Sequence, residues 1–103
     1  MQTVRAKKSL GQHFLKDLGV ARRIAETAPA GRVLEIGPGM GVLTQFLLSN
    51  PQIQLTAIEL DTESVQYLHE WYPELNLIEG DFLKLDLNKL YPDGDFCVIG
   101  NYP

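Results

Sequence analysis

The glycine-rich segment that follows a short apolar stretch is the first part of the sequence whose residue types suit ligand binding. Gly37, Gly39 and Gly41 separate the apolar stretch Val33–Ile36 from a second apolar run, Val42–Leu48. Glycine permits sharp turns and lets a ligand approach the main chain without a Cβ in the way. A helix that begins after such a turn also offers unpaired N–H groups. The segment therefore indicates a binding loop, although a tight turn without a ligand would use the same residues.

The spacing of these glycines separates two classes of cofactor. Dinucleotide enzymes use G-x-G-x-x-G, which cradles a pyrophosphate, whereas here Gly41 comes one position early. The pattern Glu35-x-Gly37-x-Gly39-x-Gly41 resembles motif I of the Rossmann-like methyltransferases. Their cofactor, S-adenosylmethionine, has no pyrophosphate and carries a sulfonium cation. Glu35 is not needed beside a phosphate, but it suits a site near a cationic methionine group.

Acidic residues follow two later apolar stretches, where they could bind a nucleoside. Glu59 ends the stretch Leu55–Glu59, and a carboxylate there can accept from both ribose hydroxyls, as it does in NAD enzymes. Asp81 could accept from an adenine amino group, and the ring of Phe82 could cover the base. Taken singly, Glu59 could also be a surface residue, and Gly80-Asp81 an ordinary turn.

Strand-like and helix-like segments alternate along the chain and would bring these residues together. Helices are predicted from a cap at Asp17 to Thr27, over Val42–Leu48, and from a cap at Asp61 or Thr62 to Trp71; strands are predicted at Val33–Ile36, Leu55–Glu59, Leu75–Ile78 and Phe96–Ile99. This alternation predicts an α/β fold with a parallel sheet in the order 3-2-1-4. Ligands bind at the carboxyl ends of such strands, so all the polar groups above would share one crevice.

Composition indicates a single small domain, and the charges are divided unevenly along it. The chain has 103 residues, of which 45% are hydrophobic. Seven basic and two acidic residues lie at or before Arg32, whereas two basic and eleven acidic residues follow it. A basic arm on an acidic body suits a nucleic-acid partner, and a solvated tail is the alternative. The single cysteine, Cys97, and the lack of a signal peptide or apolar span lead us to expect a cytoplasmic protein.

Five segments, taken together and in order, carry a more specific resemblance. The chain resembles the ribosomal RNA adenine N6-dimethyltransferase family, in the branch that methylates adjacent adenines of the small subunit. The matching segments are Lys8–Leu15, Val33–Gly41, Ile58–Asp61, Glu79–Asp81 and Val98–Pro103. Gln12-His13-Phe14-Leu15 followed by the glycine loop is much more specific than the loop alone.

The resemblance implies a fold, a cofactor and a set of site residues. The fold would be the N-terminal part of a Rossmann-like (class I) S-adenosylmethionine-dependent methyltransferase, with residues 1–16 as a basic arm and residues 17–103 as an incomplete methyltransferase domain. The methionine end of the cofactor would be closed by two arm residues and lined by two glycines, and carboxylates would hold the ribose and the adenine. The implied cofactor-binding residues are His13, Leu15, Gly37, Gly39, Glu59, Asp81, Phe82 and Asn101. Without the resemblance, His13 and Phe14 would be read as a helix-capping segment.

The last segment, Asn101-Tyr102-Pro103, suits methyl transfer to an amino group. The N6 nitrogen of adenine is a poor nucleophile because its lone pair is delocalised into the ring. The side-chain carbonyl of Asn101 and the backbone carbonyl of Pro103 could accept from both N6–H bonds and so localise that lone pair. The remaining task is to place the nitrogen in line with the methyl donor, which requires no metal. The base must first be extruded from the folded RNA.

The sequence departs from the family pattern in two places. It reads Asn-Tyr-Pro where Asn-Leu-Pro is commoner, and it ends before the aromatic residue that would stack on the target adenine. We therefore expect activity on ribosomal RNA and the small subunit only from a longer protein. We also expect the shorter chain to self-associate through an exposed strand edge. A non-catalytic ribosome-assembly or transcription factor on the same fold and a Rossmann dinucleotide oxidoreductase remain as alternatives.

Overall fold

A four-stranded parallel sheet forms the centre of the protein. The computed structural model describes residues 18–100. The strands are β1 (Gly31–Ile36), β2 (Ile53–Glu59), β3 (Asn76–Glu79) and β4 (Cys97–Gly100). They lie in the order β3-β2-β1-β4, and all three pairings are parallel. The predicted fold class and strand order are therefore confirmed.

Three main helices alternate with these strands. They are α1 (Leu18–Glu26), α2 (Val42–Leu48) and α3 (Thr62–Trp71), and they agree with the predicted helices to within about a residue. Asp61 caps α3, since its carboxylate accepts from the backbone N–H of Ser64 at 3.1 Å. The predicted cap at Asp17 lies outside the described residues. None of the helices within residues 18–100 is long and apolar enough to cross a lipid bilayer.

Two short helices between β3 and β4 were not predicted. A 3₁₀ helix (Phe82–Lys84) and a single helical turn, α4 (Leu87–Leu90), each begin after an aspartate that accepts from backbone N–H groups of the first turn. The aspartates are Asp81 and Asp86. Side-chain caps of this kind stabilise even single turns, and such short turns leave too little periodic pattern to be recognised in a sequence.

The core has two layers because successive side chains of a strand point to opposite faces of the sheet. On one face, the buried residues of α1, α2 and α3 cover the sheet; they include Ala21, Ala25, Leu43, Leu47 and Leu68. On the other face, Leu34 and Ile58 pack under Tyr91 and the segment 82–96. The carboxyl ends of all four strands stay at one edge of this layered core, and that edge carries the candidate site.

Candidate functional site

The loop between β1 and α2 adopts a backbone that favours glycine at three positions. Gly37, Gly39 and Gly41 have φ angles of 65°, 59° and 83°, in the left-handed region. The loop is fixed to the next strand by the N–H of Gly37, which donates to the carbonyl of Ile58 at 2.9 Å. At Gly41 a Cβ would also lie 2.5 Å from the ring of Tyr72. At these glycines the main chain reaches the carboxyl edge of the sheet with no side chain in the way.

Glu59, the last residue of β2, joins this loop to the start of α3. Its carboxylate is buried, with 3% of the residue exposed. Oε1 accepts from the backbone N–H of Gly39 at 3.0 Å, and Oε2 accepts from that of Asp61 at 2.9 Å. An ionised carboxylate has about four acceptor positions and can accept from several donors at once. These two bonds hold the Glu59 carboxylate in one orientation.

A cavity of about 440 Å³ opens beside Glu59. Its lining residues come from the ends of three strands and the loops after them: Ile36, Gly37, Ile58, Glu59, Leu60, Gly80, Asp81, Phe82 and Leu83. The walls are mostly apolar, and the carboxylates of Glu59 and Asp81 are the charged groups among them. A mostly apolar cleft with a few fixed polar groups is typical of a small-molecule site.

Asp81 and Phe82 form the far side of the cavity. The carboxylate of Asp81 accepts from the N–H of Leu83 at 2.9 Å through Oδ1, which caps the 3₁₀ helix. The N–H of Gly80 donates to the carbonyl of Glu59 at 2.9 Å and thereby fixes this loop to β2. Phe82 packs against the buried cluster of Leu34, Ile58 and Tyr91. These contacts hold a carboxylate and an aromatic ring at one end of the cavity, opposite Gly37.

Glu35 of β1 lies behind the glycine loop and is not among the residues that line the cavity. It is 1% exposed, and the hydroxyl of Thr44 donates to its Oε1 at 2.7 Å. Burial raises the pKa of Glu35 to about 7; the Thr44 hydrogen bond opposes this shift, and the charge of Glu59 adds to it. A carboxyl with this pKa changes between its protonated and ionised forms near neutral pH.

The structure brings together four of the predicted cofactor residues, namely Gly37, Glu59, Asp81 and Phe82. Gly39 reaches the same edge through its hydrogen bond to Glu59. The other predicted site residues, His13, Leu15, Asn101 and Pro103, lie outside the described residues, as does the basic arm of residues 1–16. Within residues 18–100 no group of His, Cys, Asp and Glu side chains is arranged to hold a metal ion.

Sequence reasoning missed several residues that shape the site. Leu60 and Leu83 line the cavity although they are 64% and 88% exposed. The signal available for them was an apolar residue in a polar setting, just after a strand-ending acid and just after the Asp-Phe pair. Tyr72 closes the loop from the helix side, and its hydroxyl donates to the carbonyl of Gly41 at 3.4 Å. Tyr72 lies 31 residues from Gly41 in sequence, so only the folded chain shows the contact.

Comparison with known proteins identifies the family. Residues 3–103 match the family described as ribosomal RNA adenine dimethylase. The chain belongs to this family. Among curated members, the chain is 61% identical over 108 residues to the ribosomal RNA small subunit methyltransferase A of Parabacteroides distasonis, and it spans 40% of the length of that relative. The predicted family resemblance is thereby confirmed.

Solved structures place the fold of this dimethylase-family chain among methyltransferases. The 23S rRNA methyltransferase ErmE is 34% identical, with a TM-score of 0.66 over 84% of this chain and 36% of that one. The N-terminal domain of EvdMO1, solved with SAH bound, is 27% identical, with a TM-score of 0.57 over 73% of this chain and 34% of that one. The aligned part of this chain thus corresponds to about a third of the length of each of these proteins.

Proposed function

We propose that the full-length protein containing this chain is an S-adenosylmethionine-dependent adenine N6,N6-dimethyltransferase of small-subunit ribosomal RNA. The observation that carries this proposal is the position of the buried Glu59 carboxylate, between the glycine loop and the Asp81-Phe82 pair, on one cavity. Family membership and the likeness to an rRNA methyltransferase support the substrate class. The chain supplies the cofactor half of the site.

The residues present fit the nucleoside part of this cofactor. Gly37 offers main chain at one end of the cavity, and Asp81 with Phe82 lies at the other. Glu59 between them would accept from the ribose hydroxyls, Asp81 from the adenine amino group, and Phe82 would cover the base. The volume of about 440 Å³ is within the range of small-molecule sites. When bound, S-adenosylmethionine supplies an electrophilic methyl group.

Residues near both ends of the chain would complete the site around the methionine group and the target base. His13 and Leu15 would close over the methionine end, which Gly37 and Gly39 line. Asn101 would lie between the cofactor and the target base, where it and the carbonyl of Pro103 would accept from the amino hydrogens. Orienting that nitrogen is then the main contribution of the protein to the reaction rate.

The expected partner is ribosomal RNA in the small subunit. Arg5, Lys7 and Lys8 of the basic arm would contact phosphates, while the acidic body keeps the rest of the surface from binding RNA without specificity. We also propose that the protein is cytoplasmic, where it would meet its ribosomal RNA substrate.

Methyl transfer to immature small subunits tests this function. The full-length protein, incubated with S-adenosylmethionine that carries a labelled methyl group, should label small-subunit RNA and yield N6,N6-dimethyladenine on digestion. Asn101→Ala should abolish labelling, because it removes an acceptor for the amino hydrogens of the target adenine. Binding of NAD in preference to S-adenosylmethionine would favour the oxidoreductase alternative, and cofactor binding without any labelling would favour the assembly factor.

A further inference from the structure

A buried carboxyl that the proposed site does not use lies directly behind the glycine loop. Glu35 stands two residues before Gly37 and pairs in register with Ala57 and Ile99 on either side. Its side chain lies on the face covered by α2, where Thr44 is 0% exposed. The hydroxyl of Thr44 donates to Oε1 of Glu35 at 2.7 Å. The carboxyl is therefore enclosed by protein and separated from the cavity by the loop itself.

The surroundings of this carboxyl do not balance a negative charge. No ion pair of residues 18–100 involves Glu35. Among the described residues, the Glu35 carboxyl accepts a hydrogen bond from the neutral Thr44 hydroxyl. It also lies near the carboxylate of Glu59 and near the phenol of Tyr72, which follows α3. A buried carboxylate with one hydrogen bond and a second carboxylate nearby is costly, so the protonated form is favoured.

The charged side chains of the neighbouring elements are directed elsewhere. On β1, Arg32 lies 3.9 Å from Asp93. On α1, Arg22 lies over the ring of Phe46, and Arg23 and Glu26 are exposed. On β4, Cys97 pairs in register with Val33 rather than with Glu35. No cation of the described residues is thus available to hold Glu35 in its ionised form.

We propose that Glu35 and Thr44 form a proton-linked positioning pair: Glu35 releases its proton to solvent when a cationic ligand occupies the glycine loop, and the Thr44 hydroxyl stabilises the carboxylate that remains. This inference rests on the proposed function, because S-adenosylmethionine would bring its sulfonium and ammonium groups to this edge. The positive charge of the ligand takes the place of a cation that residues 18–100 do not provide. Glu35 acts through the loop and its field, without contact with the ligand.

Two consequences follow for the binding of the cofactor. Below neutral pH the carboxyl is protonated and attracts no cation, and above neutral pH it is charged, so affinity for S-adenosylmethionine rises with pH through about 7. The demethylated product carries a neutral thioether and one positive charge fewer. Glu35 therefore favours the methyl donor over the product, and this preference also grows as the pH rises.

Isothermal titration calorimetry in two buffers of different ionisation enthalpy measures the protons released on binding. For the full-length wild type at pH 7 we expect S-adenosylmethionine to release up to about half a proton per site, because the carboxyl is about half protonated at its pKa. S-adenosylhomocysteine should release less. Glu35→Gln keeps the shape and can still accept from Thr44, but it has no proton to lose, and its release should be near zero.

A matched pair of substitutions at Thr44 tests the second half of the proposal. Thr44→Ser keeps the hydroxyl and should retain the wild-type pH profile of affinity. Thr44→Val keeps the volume but removes the donor, so the rise in affinity should move to higher pH. Circular dichroism confirms folding, and if Thr44→Val does not fold, the comparison of wild type with Glu35→Gln still decides. Equal proton release from those two proteins would overturn the inference. Failure of the wild type to bind S-adenosylmethionine would instead overturn the proposed function itself.

Discussion

The Glu59 carboxylate holds the glycine loop in place and is also the group that we propose binds the ribose. It accepts from the N–H groups of Gly39 and Asp61, and the proposed function adds the ribose hydroxyls. Glu59→Ala would leave these donors unpaired and remove the ribose contact. We expect S-adenosylmethionine binding by the full-length protein to weaken by about 1–3 kcal/mol, the usual cost of unpaired buried groups. Calorimetry checks this value, with Glu70→Ala on the exposed face of α3 as control. Unchanged affinity in Glu59→Ala would remove Glu59 from the site.

The raised pKa of the buried Glu35 carboxyl also predicts how the free energy of unfolding depends on pH. Its pKa is raised from about 4.5 to about 7 by burial, so between these values the unfolded chain loses the proton while the folded chain keeps it. Stability should therefore fall as pH rises from 4.5 to 7 and be lower by up to about 3 kcal/mol above that window. Glu35→Gln should lack this part of the pH dependence. Urea unfolding of the full-length wild type and of Glu35→Gln, each at pH 5 and pH 8, measures the difference. The same change in unfolding free energy between the two pH values in both proteins would contradict a buried carboxyl that is protonated in the folded state.

A substitution at Gly41 tests how closely the glycine loop approaches the ring of Tyr72. Gly41→Ala places a Cβ 2.5 Å from the Tyr72 ring at a φ of 83°. Gly94→Ala is a matched control, because its φ is 71° and nothing lies within 4 Å of the added carbon. The left-handed backbone costs about 1–2 kcal/mol at either position, and overpacking adds about 1–3 kcal/mol at Gly41. Denaturant unfolding should therefore show the larger loss in Gly41→Ala. Equal losses would mean that Tyr72 moves aside freely.

At the scale of elements, the sequence predicted the helices and strands that neighbouring residues mark by themselves, through a cap or a periodic apolar pattern. Asp61 caps α3 through Ser64, and a cap followed by a periodic apolar face is visible in the sequence. The strand-ending position of Glu59 was visible for the same reason. The contact of Glu35 with Thr44 depends instead on how α2 rotates over β1, which the pattern of either element alone does not determine. The turn 82–90 was missed because its two helices are too short for periodicity.

The basic arm is the element that we propose contacts RNA. If Arg5, Lys7 and Lys8 bind phosphates, their replacement by alanine should lower the slope of binding against salt concentration, by about one for each lost contact. Cofactor affinity should stay unchanged. Filter binding of the full-length protein to small-subunit RNA across a salt series measures the slope, and an unaltered slope would make the arm a solvated tail.

At the scale of the whole molecule, the free edge of β4 decides how the 103-residue chain behaves alone. Within residues 18–100, β4 pairs with β1 and with no other strand, and Val98 is 42% exposed. Unpaired apolar edges join other chains. We expect the isolated chain to be marginally stable, to self-associate in sedimentation experiments as concentration rises, and to transfer no methyl groups. Val98→Lys should reduce association, because a charge on an edge strand opposes pairing. A monomer at every concentration would contradict this expectation.

If this edge of the sheet holds S-adenosylmethionine, a crystal structure of the full-length protein with the cofactor or its product bound will show the ligand there. We expect the ribose hydroxyls to lie within hydrogen-bonding distance of the Glu59 carboxylate. We also expect the adenine to lie against Phe82, with its amino group at Asp81. A nucleoside bound elsewhere, or one in this cavity whose ribose does not reach Glu59, would show that this edge is not the cofactor site.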